Sequence, residues 1–367
     1  VLLAHREQDY AMSGKRGLLL VLIGLWCALL AAPARAQSGA LSNLLRQVPN
    51  KAESRSIIWF SALSALERAL GIQVDSREAL DRLPLAQRAT YLSEIGRLVY
   101  FSDYSGLARA PEWLATFGIN SFAISQELVV GQAPNQVAIL EGNFDVGAIN
   151  NALQNLGYQV QQIDSTPILA LGNDNSAPAG IVGSLAADKL NRIALSADRI
   201  LAAASTASLA ASLAPTPHLA DDPIYAALAS SLEERGALIC AVLFDGAFAA
   251  RELVGTTPSA PNGLPAYQAG AIGYYRSGNV RALTFVLIYA DPNTAAQAGN
   301  ILVERLSGYI SPEQPERPLF SDWRFAAEIA QKGGVTVLKV SAEMPEDSDV
   351  AWVNLVQERD LGFLRPQ

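Results

Sequence analysis

The chain has 367 residues, of which 50% are apolar and 17% charged, so it is too long for one ordinary domain and too apolar for disorder. Its 35 acidic and 27 basic residues leave a formal charge of −8 and a sequence pI near 5.0, which argues against a nucleic-acid partner gripped through its phosphates. Two Cys and two His offer too little for zinc, haem or a disulfide framework, and no cofactor is expected.

Residues 1–36 carry the pattern of a secretory signal peptide. Lys15 and Arg16 form a basic start, Leu18 to Leu30 is an uncharged apolar run, and Ala34 and Ala36 precede Gln37 as small cleavage-site residues. That run spans about 20 Å as a helix, short of the roughly 30 Å hydrocarbon core of a bilayer. Extended from Gly17 to Ala34 it lengthens to 18 residues, so an uncleaved anchor is the rival reading. Val1 and Met12 are the two candidate starts, and residues 1–11 are set aside from the fold. Cys27 follows Trp26 inside the apolar run, which does not suit lipidation. Cleavage after Ala36 removes four basic and two acidic residues, and −8 minus +2 leaves −10. It also leaves Cys240 without a partner for an intramolecular disulfide. The expected location is periplasmic or extracellular.

Residues 37–120 form a mainly helical segment. Ser56 to Ser61 reads as a strand and Ala62 to Leu70 as a helix stopped by Gly71. Apolar residues from Leu80 to Val99 recur at spacings of 3, 4 and 7, with Pro84 marking a helix start. Pro111 opens a short helix through Trp113, closed by Gly118.

Residues 121–255 form a first α+β module. Strands are expected at Ser121 to Val130 and Gln136 to Glu141, followed by a helix capped by Asp145 and ended by Gly157. A second strand pair covers Tyr158 to Ile163 and Pro167 to Leu171, and an extra hairpin Arg192 to Ser196 and Ile200 to Ala204. Ser205 or Thr206 caps the Ala-rich helix that follows; one continuous helix over 198–214 is the alternative. Thr256 to Pro265, with three Pro and one Gly, is the linker. Residues 266–367 repeat the order: strands at Gln268 to Arg276 and Arg281 to Ala290, an Asp291-capped helix, strands at Trp323 to Ile329 and Val335 to Ser341, and a last helix capped by Asp347 or Ser348. The fold class is therefore α+β, two similar modules of antiparallel sheet with helices on one face.

Catalytic signatures are sparse. His218, the one His after residue 36, sits in a Pro-rich turn, where the reading is an exposed loop residue. Cys240 lies in the apolar strand Ala237 to Phe244 and reads as an inert buried thiol. The chain has neither a nucleophile elbow nor a glycine-rich phosphate loop. Asn173-Asp174-Asn175-Ser176 and Glu346-Asp347-Ser348-Asp349 have oxygen ligands but lack a twelve-residue calcium loop, and cap and turn roles explain both. Seven aromatics fall between Tyr91 and Phe122, where they suit either a helix–sheet core or a ligand cleft. Ser102, Asp103, Tyr104 and Trp113 are the candidate cleft residues.

These features point to an exported, soluble, non-enzymatic binding or scaffold protein of the bacterial cell envelope or exterior. The alternative is a secreted hydrolase whose carboxylates or hydroxyls meet only in space. Expected partners are another envelope protein or a small ligand. Membrane contact runs through the signal segment alone, if that segment is retained.

Overall fold

Twelve strands join in one antiparallel sheet, and its most apolar strands lie side by side near the middle. The computed structural model describes residues 39–98, 110–214, 216–253, 263–312, 315–345, 352, 355–356 and 359–366. The helices are α1 (Ala40–Leu45), α2 (Ala52–Ser56), α3 (Leu63–Leu70), α4 (Arg77–Arg82), α5 (Leu85–Ile95), α6 (Ala110–Phe117), α7 (Val146–Asn155), α8 (Ile181–Ala186), α9 (Thr206–Leu213), α10 (Pro223–Glu233), α11 (Gly246–Phe248) and α12 (Pro292–Gly308). The strands are β1 (Ile57–Ser61), β2 (Ile124–Val130), β3 (Val137–Gly142), β4 (Gln159–Ile163), β5 (Thr166–Ala170), β6 (Arg192–Leu195), β7 (Arg199–Ala203), β8 (Leu238–Asp245), β9 (Ala269–Ser277), β10 (Val280–Tyr289), β11 (Arg324–Lys332) and β12 (Val335–Met344). Their order is β11-β12-β10-β9-β8-β1-β2-β3-β7-β6-β5-β4.

Three of the side-chain caps read from the sequence are in place, and the fourth, at Asp347 or Ser348, lies outside the described residues. The Asp145 carboxylate accepts the Ala148 N–H, Asp291 accepts those of Asn293 and Thr294, and Ser205 accepts that of Ser208. Each such cap is worth about 1 kcal/mol. Pro84 is the N-cap residue of α5. Residues 198–214 hold a strand and a helix, β7 and α9, rather than one helix.

The α+β class stands, but the helices cover both faces of the sheet and not one. Strands β8, β9 and β10 are buried along almost their whole length. Side chains on alternate residues point to opposite faces, so a strand apolar throughout needs cover on each side. Gly273 and Gly270, three apart on β9, mark the two sides. A Cβ at Gly273 would meet Leu232 of α10 at 2.8 Å. On the other side, Gly299 of α12 rests against Leu338, which is in register with Leu287 and through it with Gly270. The unbroken apolar run at Ala237 to Phe244 already carried this signal.

The recurring order also acquires a spatial form. Outward from β8 run β9, β10, β12 and β11; outward from β1 run β2, β3, β7, β6, β5 and β4. In the second half the hairpin after α12 lies directly beside β10. In the first half the additional β6–β7 hairpin takes the matching place beside β3, and the β4–β5 hairpin is displaced to the rim. Strand β8 has β1 and β9 as its partners, so the segment 256–265 connects strands of one ladder. Residues from Gly39 onward cluster as one compact unit. Residues 254–262 and 346–351 lie outside the described residues, and with them most of the linker and the start of the last expected helix.

Candidate functional site

Helix α5 turns Tyr91, Glu94 and Ile95 toward the sheet, and all three are buried. Glu94 is 2% exposed, a position where an unpaired carboxylate would be prohibitive. It is amply paired. Oε1 accepts from Arg97 Nη1 at 2.9 Å and from Arg276 Nη1, while Oε2 accepts the Tyr274 hydroxyl at 2.7 Å. Tyr274 and Arg276 are two residues apart on β9, so strand alternation puts both on the face that α5 covers.

A buried polar row continues across the sheet beneath this cluster. Tyr274 is in register with Cys240 on β8, Cys240 with Ser61 on β1, and Ser61 with Glu127 on β2. All four are buried. The Arg97 carbonyl accepts the Trp352 indole N–H at 2.9 Å and the Cys240 thiol at 3.7 Å. The Arg97 guanidinium carbon lies 6.0 Å from the centre of the Tyr274 ring. Burial first, and the Glu94 charge second, push the Tyr274 hydroxyl far above its ordinary range and hold it as a donor. The same two causes raise the Cys240 thiol well above the range in which it would be a nucleophile.

Arg276 also lines a cleft of about 270 Å³. Leu70 and Ile72 close it from the end of α3, Gln87 and Thr90 from α5, and Asn279 from the β9–β10 turn. A second cavity of about 270 Å³ separates the small residues Ala207, Ser208, Ala211 and Ser212 of α9 from Val130 and Val137.

Of the cleft residues expected from sequence, Ser102, Asp103 and Tyr104 lie outside the described residues. Trp113 is 1% exposed and packs edge-to-face on Phe117, with ring centres 5.1 Å apart. His218 is half-buried and heads a short turn in which its backbone N–H donates to Asp221 Oδ2 at 3.1 Å. Asp174 is held by Arg192 Nη2 at 2.6 Å and accepts the Thr206 N–H and hydroxyl, each at 3.1 Å. That carboxylate already faces a cation. Sequence reasoning passed over Glu94, Arg97 and Arg276. The readable sign was a charge at position 94 on the apolar stripe of Tyr91, Ile95 and Leu98.

The chain matches no protein-family model, and no curated protein matches it. Among solved structures it is similar to crystal form I of TP0453, at 8% identity and a TM-score of 0.36, covering 82% of this chain and 92% of that one. It is likewise similar to crystal form III of TP0453, at 9% identity and a TM-score of 0.37, covering 85% and 98%. Likeness at that level carries no argument about this chain.

Proposed function

We propose that this chain is an exported, soluble, non-enzymatic binding or scaffold protein of the bacterial cell envelope or exterior. The basic start, apolar run and small-residue exit of residues 1–36 support export. One observation carries the non-enzymatic part. The reactive groups under α5 are engaged with one another: Glu94 is occupied by two guanidinium groups and a hydroxyl. A carboxylate so engaged is not turned toward a substrate, and a thiol kept protonated is a poor nucleophile. The cluster instead ties α5 to β9, and so braces the wall of the Arg276 cleft. A small ligand in that cleft, or another envelope protein, is the partner this reading calls for.

The test is expression from Met12 in a bacterium with a general secretory pathway, followed by fractionation and N-terminal sequencing. The expected product is exported and begins at Gln37 or within a few residues of it. Protein that remains in the cytoplasm, or that keeps Leu18 to Leu30, would overturn export.

A further inference from the structure

We infer that the cleft beside Arg276 is a binding site for a small organic monocarboxylate with a short apolar tail. The inference deepens the binding reading above and rests on it. Its first support is the state of the guanidinium. Arg276 is 11% exposed at its side chain; Nε donates to the Gly278 carbonyl at 3.0 Å and Nη1 to Glu94. Nη2 has no hydrogen-bond partner among the described residues. A guanidinium fixed by two of its three nitrogens is preorganised to offer the third.

The charge around it points the same way. Glu94 is the acidic partner of Arg276, and it is shared with Arg97. The Glu94 carboxylate engages Arg276 through Nη1 and leaves Nη2 to a ligand. An anion reaching Nη2 gains a charge-assisted hydrogen bond from a side chain that is itself 11% exposed.

The remaining walls select the class of anion. Among the described residues of the lining, Gln87, Thr90 and Asn279 are neutral and add polar atoms without further positive charge, which suits one negative charge better than a phosphate dianion. Ala69, Leu70, Ile72 and Ala86 give the cleft an apolar side. Its volume of about 270 Å³ is just under the range of about 300–1,000 Å³ usual for drug-sized ligands, so the occupant is small.

The experiment is ligand-observed NMR and calorimetric titration of the chain from Gln37 to Gln367 with sodium hexanoate, hexylamine, hexanol and inorganic phosphate. Hexanoate should bind, and the amine and alcohol should not. Ala86→Trp, a change at an exposed position on the wall, should fill the cleft and weaken hexanoate by at least about tenfold with the melting temperature unchanged. Arg276→Gln should weaken it by at least about tenfold as well, the scale of a lost hydrogen bond to a charged group. That variant strips Glu94 of a partner, so the Ala86→Trp result stands on its own if Arg276→Gln does not fold. Hexanoate binding undiminished in Ala86→Trp, hexanol binding as tightly as hexanoate, or phosphate binding where hexanoate does not would each overturn the inference. Failure of all four probes in a correctly exported, folded chain removes the carboxylate site and leaves the export and scaffold reading in place.

Discussion

The Tyr274 hydroxyl and the Glu94 carboxylate meet at 2.7 Å across 180 residues of sequence. This bond joins an outer helix to the central strands, and both groups are buried. Removing the hydroxyl while keeping the ring isolates its contribution. Tyr274→Phe should lower stability by about 1.5–3 kcal/mol, the usual worth of a hydrogen bond to a charged group. Glu94→Gln should cost about 3–5 kcal/mol, because it leaves the Arg276 guanidinium without its acidic partner. Urea midpoints of the two variants decide the matter, and a smaller loss for Glu94→Gln than for Tyr274→Phe would contradict this ranking.

Cys240 is fully buried on β8, and burial keeps its thiol protonated. A thiol reagent should leave the native protein unlabelled and label it rapidly in denaturant. Cys240→Ala should cost on the order of 1 kcal/mol through loss of a small buried group. Fast labelling of the native state would reopen a nucleophilic role.

Every described tyrosine has its hydroxyl raised above the ordinary value of 10.0, with burial the largest cause in each: Tyr91, Tyr158, Tyr225, Tyr267, Tyr274, Tyr275, Tyr289 and Tyr309. The sign follows from linkage. Below the unfolded value both states hold neutral phenols, and this contribution to stability is complete. As pH rises past about 10 the unfolded chain ionises while the native one does not, so stability falls. Phenolate absorbance should therefore lag in native protein relative to urea-unfolded protein, and melting temperatures should drop steeply in the same range. Coincident titration curves would show that the phenols are accessible.

Arg192 organises the loop after β5. Its side chain is 6% exposed, and it donates to the Leu171 and Gly172 carbonyls, to Thr206 Oγ1 and to Asp174. Arg192→Met should cost about 1–3 kcal/mol, since it leaves the Leu171 and Gly172 carbonyls without their donor. Added calcium should leave the wild-type melting temperature unchanged, because Asp174 is already matched. A calcium-dependent rise abolished by Asp174→Asn would contradict that assignment.

Limited proteolysis is expected to cut first within Thr256 to Pro265, on composition alone. The halves should nevertheless stay together after the cut, because β8 on one side pairs with β9 on the other. A separately produced 262–367 fragment would bare the edge of β9 and should aggregate. A soluble, cooperatively melting fragment would show instead that it is a self-sufficient domain.

Much of the strand and helix pattern could be read locally. Asp145, Asp291 and Ser205 announce helices through cap chemistry, and Gly333-Gly334 marks the β11–β12 turn with both residues at positive φ. Strand neighbours were a different matter. Nothing near Ile57–Ser61 says that its partners will be β2 and β8, and nothing near Arg276 says that it will meet Glu94. Those meetings depend on register across the whole sheet. Face cover was readable in principle, since Ala237 to Phe244 lacks the alternation of a strand with one wet side.

The place of β1 at the middle of the sheet has a kinetic consequence. Its pairing with β8 joins residues roughly 180 positions apart. During synthesis, Ile57–Ser61 is made long before Leu238–Asp245 exists, so one edge of an apolar strand must wait. Such long-range closure delays native pairing and prolongs exposure of sticky edges. Refolding from urea should accordingly be slow and prone to concentration-dependent losses. Under the export proposed above, that delay would serve the chain, since it would have to remain unfolded until it had crossed the membrane.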